Sequence, residues 1–414
     1  MKKIFVSSWF FPPINSAEGI VTFKLLKRSK FRYDVFTHNR DDNYTFVQDS
    51  KLTSKNINVI SSDDLNPKLW VDKGFKYFCD HHTEYSCMTS RCMPGESHEL
   101  ALKIKRKFKN VFWIASFSDP LAYNPYTKLI EEKNPYKNKN KDFRLIIKNL
   151  VWNLRRIKYR IFSDPEIKNR KIQKKTLKKA DIIIFNNDYQ RDYMLSKYKN
   201  IKIANKIQLL HHSYDLDLYE DSNKFYKDKI VLSFLGHLDE YRNAHCFLEA
   251  VKLLKDKHKD INSKLEIRFY GNICNNDKLF IFDNKLFDFV KVFEPVTYLE
   301  SLKVMKKSNY LLCIDADLKQ YLDRNIFFAS KVVDYIGSES NIFCITMKDS
   351  AVNKILKEYG AIVTNFDVQL IYKELEDIVN NKRKNSKHIP LKYLSNTFVA
   401  NKFDDIIKRS GVEV

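Results

Sequence analysis

Glycine is scarce in this chain: 8 of 414 residues, beside 10 prolines. That excludes collagen-like and glycine-rich repeat architectures, and it makes each retained glycine informative. Paired-cysteine motifs are missing too. The seven cysteines, at 79, 87, 92, 246, 274, 313 and 344, include no C-x-x-C. An odd set without pairing fits a reducing, cytoplasmic setting in which cysteine serves as a small core residue. His81, His82, Cys87 and Cys92 follow no common zinc spacing. No stretch approaches the ~20 apolar residues of a membrane span. Met1-Lys-Lys leads directly into IFVSSWF, too short for a signal h-region and without a cleavage site. Acidic residues are in deficit: 51 Asp and Glu against 73 Lys and Arg, a formal net charge of +22. The excess favours anionic partners: nucleic acid, an acidic membrane surface or phosphorylated small molecules. No C2H2 finger or RNA-recognition signature accompanies it, so nucleic acid ranks last.

What is present is enough apolar residue, 44%, to fill full cores, and a length that suggests two domains. Strands are expected at Lys3–Ser8, Tyr33–Thr37, Val59–Ile60, Phe75–Phe78, Val111–Phe117, Asp181–Phe185 and Lys206–Leu210. FFPPINSAEG reads as a loop, with helices following at Ile20–Lys30, His98–Lys109, Lys171–Ala180 and Tyr189–Tyr198. Residues 213–229 have no clear period and read as a linker. The pattern then restarts. Strands are expected at Ile230–Leu235, Leu265–Tyr270, Val290–Phe293, Tyr310–Ile314 and from Ile342. Helices are expected at Cys246–Lys255, Tyr298–Lys306, from Ser330, and at Ala351–Glu358. Two βαβ series predict an α/β protein of two doubly wound, Rossmann-like domains, 1–212 and 230–395, facing across a cleft. A last helix, 396–410, is expected to pack back on the first domain.

One segment is especially telling. In FFASKVVDYIGSESNIFCIT, residues 327–346, a hydroxyl (Ser330) and a lysine (Lys331) open a short helix. A helix N-terminus carries partial positive charge and unpaired N–H groups, which suit phosphate. Asp334, one turn deeper, is placed to accept hydrogen bonds from sugar hydroxyls.

Six pieces, in order, carry a resemblance. They are VSSWFFPPINSAEG, FWIASFSDP, ADIIIFNNDYQRDYML, LSFLGHLDEYRNAHCFLEAVKLL, EPVTYLESLKVMKKSNYLLCIDA and SKVVDYIGSESNIFCI. Together they resemble the GT-B glycosyltransferases of the retaining family-4 type, which includes many bacterial surface-polysaccharide enzymes. The resemblance implies a nucleoside-diphosphate sugar as donor, no further cofactor and no metal. Arg242 and Lys331 would then neutralise the donor diphosphate, and Gly236 and Gly271 would let backbone approach it. Val296 would lie by the base, and Asp334 would hold the ribose. Ser16, Glu18 and Gly19 resemble the loop after the first strand that faces the donor, with Glu18 unusual there. Ser118 and Asp119 stand at a strand end where many relatives carry a histidine. Asp119 reads equally as a base for the acceptor hydroxyl and as a turn residue before Pro120. Arg91, Glu96 and His98 lie at a strand-to-helix crossing and form a second rank of candidates, a lone histidine such as His98 being more often structural. Ile326 stands where a sugar-binding glutamate is expected. Asp315-Ala-Asp317 and Asp215-Leu-Asp217 match the metal-binding D-x-D of another transferase fold, a pattern common by chance.

Residues 141–162, KDFRLIIKNLVWNLRRIKYRIF, space apolar residues helically among Lys and Arg. Such a helix can lie on anionic lipid or face a core with its basic side in water. The expectation is therefore a cytoplasmic glycosyltransferase, at the inner face of the membrane. It would move a sugar to a hydroxyl of a surface glycan or polyprenyl-linked acceptor. The rivals are a nucleotide-sugar epimerase or hydrolase of the same fold, and a non-catalytic nucleotide-sugar-binding protein.

Overall fold

A computed structural model describes residues 3–38, 50–126, 165–198, 200–220, 228–240, 242–382 and 388–412. Two parallel sheets organise them. The first has seven strands: β1 (Lys3–Ser8), β2 (Tyr33–His38), β3 (Ile57–Ser62), β4 (Tyr85–Cys92), β5 (Phe112–Phe117), β6 (Ile182–Phe185) and β7 (Ile207–Leu209). Their order is β3-β2-β1-β4-β5-β6-β7. The second has six: β8 (Ile230–Leu235), β9 (Leu265–Tyr270), β10 (Val290–Phe293), β11 (Tyr310–Ile314), β12 (Asn341–Ile345) and β13 (Ile362–Thr364), ordered β10-β9-β8-β11-β12-β13.

Each sheet is covered on both faces, as parallel sheets require. Alternate residues of β1 and β5 divide between two cores. Phe5 and Trp113 face one with Trp70, Phe78 and Leu100. Ile4, Val6 and Ile114 face the other with Phe23, Leu26, Phe403 and Ile407. In the second sheet Leu312 and Phe343 meet Val251 and Leu375. Leu311 and Ile342 meet Val332, Ile336 and Leu356. The Asn396–Lys408 helix thus returns to the first sheet and packs beside the Ala17–Lys27 helix. There Asp404 accepts the Lys30 N–H at 3.0 Å. Cys87, Cys92, Cys313 and Cys344 are buried strand residues, and all seven cysteines are free thiols.

Several expectations need correction. Phe75–Phe78 is not a strand but part of the Pro67–Asp80 helix. Trp70, Val71, Gly74 and Phe78 are its buried face, a helical spacing, and Asn66 caps its N-terminus. The strand that takes this place is β4, whose Thr89, Ser90 and Arg91 are buried polar residues. Its polar composition hid it. Ser16–Gly19 is not a loop either: Ser16 is the N-cap and Ala17 the first residue of the Ala17–Lys27 helix. Helices at Asn275–Asp283 and Val368–Val379 and strand β13 were also not anticipated. The basic segment 141–162 lies outside the described residues. No helix among the described residues is long and apolar enough to cross a membrane.

The topology positions a site. Chain leaving the carboxyl ends of β5, β8, β9, β10 and β11 carries Asp119, Gly236, Gly271, Val296 and Asp315, all facing one cleft between the two sheets.

Candidate donor cleft

The cleft encloses about 1010 Å³. Its second-sheet wall is built around two glycines. Gly236 has φ +129° and Gly271 φ +125°, values that L side chains rarely adopt. Space is absent as well. A Cβ on Gly271 would lie 2.2 Å from the Gly236 carbonyl oxygen, and one on Gly236 would lie 2.8 Å from Lys331 Nζ. The ammonium of Lys331 fills the gap that the missing side chains leave. It donates to the Leu235 carbonyl at 3.0 Å and sits 4.3 Å from the Phe234 ring centroid. Burial, then repulsion from Arg242, pushes its pKa down to about 7. Arg242 is held from both ends: its guanidinium donates to the His237 carbonyl, and its N–H donates to Asp239 Oδ1 at 2.8 Å. Ala329, Ser330 and Lys331 line the cleft at the start of the Ser330–Gly337 helix, where no side chain caps the first N–H groups. Two cations and a helix N-terminus therefore line one cleft, an arrangement that suits an anion.

The tight glycine pair makes a prediction. Gly271→Ala is expected to cost about 1–3 kcal/mol of stability through strain and overlap. Gly411→Ala, at φ +76° with nothing within 4 Å, is expected to cost less. Thermal unfolding of the two variants measures the difference.

Asp334 is placed in the cleft, but its carboxylate is already engaged. Lys24 Nζ from the first domain's Ala17–Lys27 helix lies 2.7 Å from Asp334 Oδ1, and the Tyr298 hydroxyl donates to the same oxygen at 3.1 Å. Lys24 is 0% exposed. Burial raises the Asp334 pKa and Lys24 opposes the rise. This ion pair bridges the two domains on the floor of the cleft. Lys24→Ala leaves the carboxylate buried without its cation, so a loss of about 3–5 kcal/mol is expected in chemical denaturation. Adding Asp334→Asn to it is expected to recover most of that loss.

The first-domain wall carries two acidic residues, Glu18 and Asp119. The Ser16 hydroxyl accepts the Gly19 N–H at 3.1 Å and so caps the helix. Glu18 is fixed by two side chains. Arg91 lies 2.9 Å from its Oε1, and Ser118 Oγ donates to its Oε2 at 2.5 Å. Arg91 Nε also donates to Thr22 Oγ1 at 3.1 Å. Asp119 follows Ser118, and burial, then the charge of Glu18, pushes its pKa up to about 7. Two carboxylates in one low-dielectric wall disfavour double ionisation, and Arg91 directs the charge to Glu18.

Of the anticipated residues, Ser16, Glu18, Ser118, Asp119, Gly236, Arg242, Gly271, Val296, Ser330, Lys331 and Asp334 line the cleft. Four do not. Gly19 packs against the Phe11 backbone, where a Cβ would lie at 3.1 Å. Arg91 sits behind the wall, gripping Glu18. Glu96 pairs with Lys168 at 3.0 Å on the outside. His98 is a core residue: its Nδ1 is 2.7 Å from Ser90 Oγ, its ring packs edge-on against Phe117, and burial pushes its pKa down to about 3. The two D-x-D pairs are also taken. Asp315 is buried and accepts from Thr346 Oγ1 at 3.0 Å, while Asp215 pairs with Lys27 at 2.9 Å. Among the described residues no group of three or more His, Cys, Asp and Glu is arranged to hold a metal ion.

Lys24, His212, Tyr126 and Tyr298 line the cleft and were not anticipated. Lys24 had a signal: Ala17, Val21 and Lys24 share one helical face once the helix starts at Ala17. His212 had none. It arrives after β7, stacks on Phe328 at 6.3 Å, and is kept neutral by burial.

No family model matches the chain. A local match to Protein GrpE 1 of Buchnera aphidicola subsp. Acyrthosiphon pisum (strain APS) is 28% identical over 113 residues. It takes in 27% of this chain and spans about half, 55%, of that protein. Whole-chain likeness comes from solved structures. The sucrose-phosphate synthase of Thermosynechococcus elongatus superposes with a TM-score of 0.65 at 11% identity, covering 99% of both chains. A glycosyltransferase from Rickettsia africae ESF-5 gives 0.63 at 13% identity over 100% of both. A UDP-N-acetylglucosamine 2-epimerase gives 0.55 at 12% identity, over 99% of this chain and 97% of the other. At such identities the likeness is one of fold: the chain has the GT-B architecture, two Rossmann-like domains facing across a cleft.

Proposed function

We propose that the chain is a glycosyltransferase that moves a sugar from a nucleoside-diphosphate donor to a hydroxyl of a surface glycan or lipid-linked oligosaccharide, with retention at the anomeric carbon. One observation carries this reading: Lys331, Arg242 and the start of the Ser330–Gly337 helix face Asp119 across a single cleft. The cations suit a leaving diphosphate, and the carboxylate suits the proton of an incoming hydroxyl. In the transfer, the bond from the anomeric carbon to the diphosphate oxygen breaks. The acceptor oxygen enters on the face the diphosphate leaves, so that configuration is retained, and bonds to the same carbon as its proton passes to Asp119. The electron pair leaves with the diphosphate, where Lys331 and Arg242 stabilise it. Donor and acceptor supply every atom of this balance, and in this reading Lys331 and Arg242 neutralise the diphosphate. Cytoplasmic action at an anionic membrane surface is consistent with the net charge of +22.

The test is product formation from nucleotide-sugar donors and polyprenyl-linked glycan acceptors, with anomeric configuration read by NMR. An epimerase is the second reading, favoured by the likeness to a UDP-N-acetylglucosamine 2-epimerase. Donor incubated alone separates the two. A new sugar isomer without acceptor supports the epimerase, and acceptor-dependent release of nucleoside diphosphate supports the transferase.

A further inference from the structure

We propose that the cleft beyond the diphosphate is an aromatic subsite for a donor sugar bearing a methyl-carrying substituent, either a 6-deoxy carbon or an N-acyl group. The inference rests on the nucleotide-sugar reading and names the substrate class of that site.

The direction of the donor follows from residue order along one wall. Phe327 and Phe328 precede the helix start at Ser330 and Lys331, and Asp334, bonded to Tyr298, follows it by one turn; all of them line the cleft. With the diphosphate at Lys331 and Ser330 and the nucleoside toward Asp334, the sugar extends toward the phenylalanines. That end is aromatic from both domains. Tyr126 of the first domain packs on Phe327 at 4.7 Å between centroids. Phe328 lies parallel to His212, 14° apart, and Met93 completes the wall.

The wall is fixed rather than adaptable. Asn187 Nδ2 donates to the Ile326 carbonyl at 3.1 Å, and Asn186 Nδ2 donates to the Phe328 carbonyl at 3.3 Å. Asn325 Oδ1 accepts the Phe327 N–H at 3.0 Å. The Ile326 side chain, 2% exposed, is buried in an apolar cluster with Ala316, Leu318 and Met347. Residues Ile326 to Ala329 therefore offer a sugar no hydrogen-bonding side chain. A hydroxyl pressed against this stretch would lose water without gaining a side-chain partner. A methyl group there gains apolar contact, and the C–H face of the ring packs on the aromatic faces. Polar groups remain nearby. Asp315 and Asp119 act electrostatically on the Tyr126 phenol, which places that ring between the two sheets' acidic residues.

Titration calorimetry with nucleotide-matched donors tests this. The pairs are UDP-glucose with UDP-N-acetylglucosamine, GDP-mannose with GDP-rhamnose, and dTDP-glucose with dTDP-6-deoxyglucose; free UDP, GDP and dTDP are the references. In the pair whose nucleotide binds, the methyl-bearing member is expected to bind about 10-fold tighter or better. Which pair responds distinguishes the acyl from the deoxy source. Tyr126→Ala, at a half-buried position, and Phe327→Leu, a conservative change in the wall, are each expected to shrink that ratio toward one. Binding of the free nucleoside diphosphate by the same variants shows that the fold is intact. Equal or tighter binding of the fully hydroxylated member, with a free nucleotide that binds normally, overturns the subsite alone. If none of the free diphosphates binds, the nucleotide-sugar reading falls and takes the subsite with it.

Discussion

Lys331→Ala is expected to lower kcat on the order of 10²-fold, the effect of removing about 2.7 kcal/mol of electrostatic stabilisation from the leaving diphosphate. The ammonium is buried against Leu235 and Phe234, so its charge acts through a low dielectric. Arg242→Ala is expected to cost a similar factor, and the two losses are not expected to add, since both cations serve one anion. The lysine leaves a second signature. In the free protein its pKa is about 7. Diphosphate binding selects the protonated form, so donor affinity is expected to fall as pH rises above 7, approaching tenfold per unit. Lys331→Arg keeps the charge at all these pH values and is expected to flatten that dependence. Donor Kd measured from pH 6.5 to 9 in wild type and both variants decides it. A pH-independent wild-type Kd together with normal turnover of Lys331→Ala would refute the assignment.

Asp119→Asn is expected to lower kcat by about 10²–10⁴-fold while the donor Kd changes little, because the proposed donor-holding cations stand on the other domain's wall. In the wild type the carboxylate must be ionised to take a proton. Its pKa near 7 therefore predicts an acid limb in kcat/KM at about that pH. The same shift has a stability consequence of opposite sense to an ordinary ion-paired carboxylate. Between its ordinary value of 3.8 and about 7, the folded carboxyl keeps a proton that the unfolded chain releases. Its contribution to stability is thus full below pH 4 and is lost as pH rises through 7. Asp119→Asn is expected to remove that part of the decline between pH 5 and pH 7 in thermal unfolding. An unchanged acid limb in a variant that retains activity would contradict the role of base.

Much of the architecture was legible because the strands of parallel sheets are continuous apolar runs. IFVSS, IVLSFL and YLLCI declare themselves, and their β8 and β11 boundaries match the expected ones. Strand β4 escaped because YSCMTSRC carries polar residues that are satisfied inside the protein: Ser90 by His98 and Trp113, and Arg91 by Glu18. In its place the aromatic residues of the Pro67–Asp80 helix looked like a strand. The cleft was legible where a residue follows directly from a strand end or helix start, as at Gly236, Asp119 and Lys331. It was not legible where partners come from distant chain. Lys24 and Asp334 are 310 residues apart, and no local pattern announces such a pair. His98 shows the converse: a histidine beside a motif, drawn into the core by Phe117 and Trp113.

The central claim is that the cleft holds a nucleoside diphosphate through Lys331, Arg242 and the adjoining helix start. Thermal unfolding with saturating UDP, GDP, dTDP, ADP and CMP, for wild type and Lys331→Ala, tests it most directly. A ligand that binds only the folded state at about 100 times its Kd stabilises it by about 2.7 kcal/mol. The expected result is a clear rise in Tm with at least one diphosphate, small with the monophosphate, and largely lost in Lys331→Ala. No rise with any nucleotide, or an equal rise in the variant, would contradict the account.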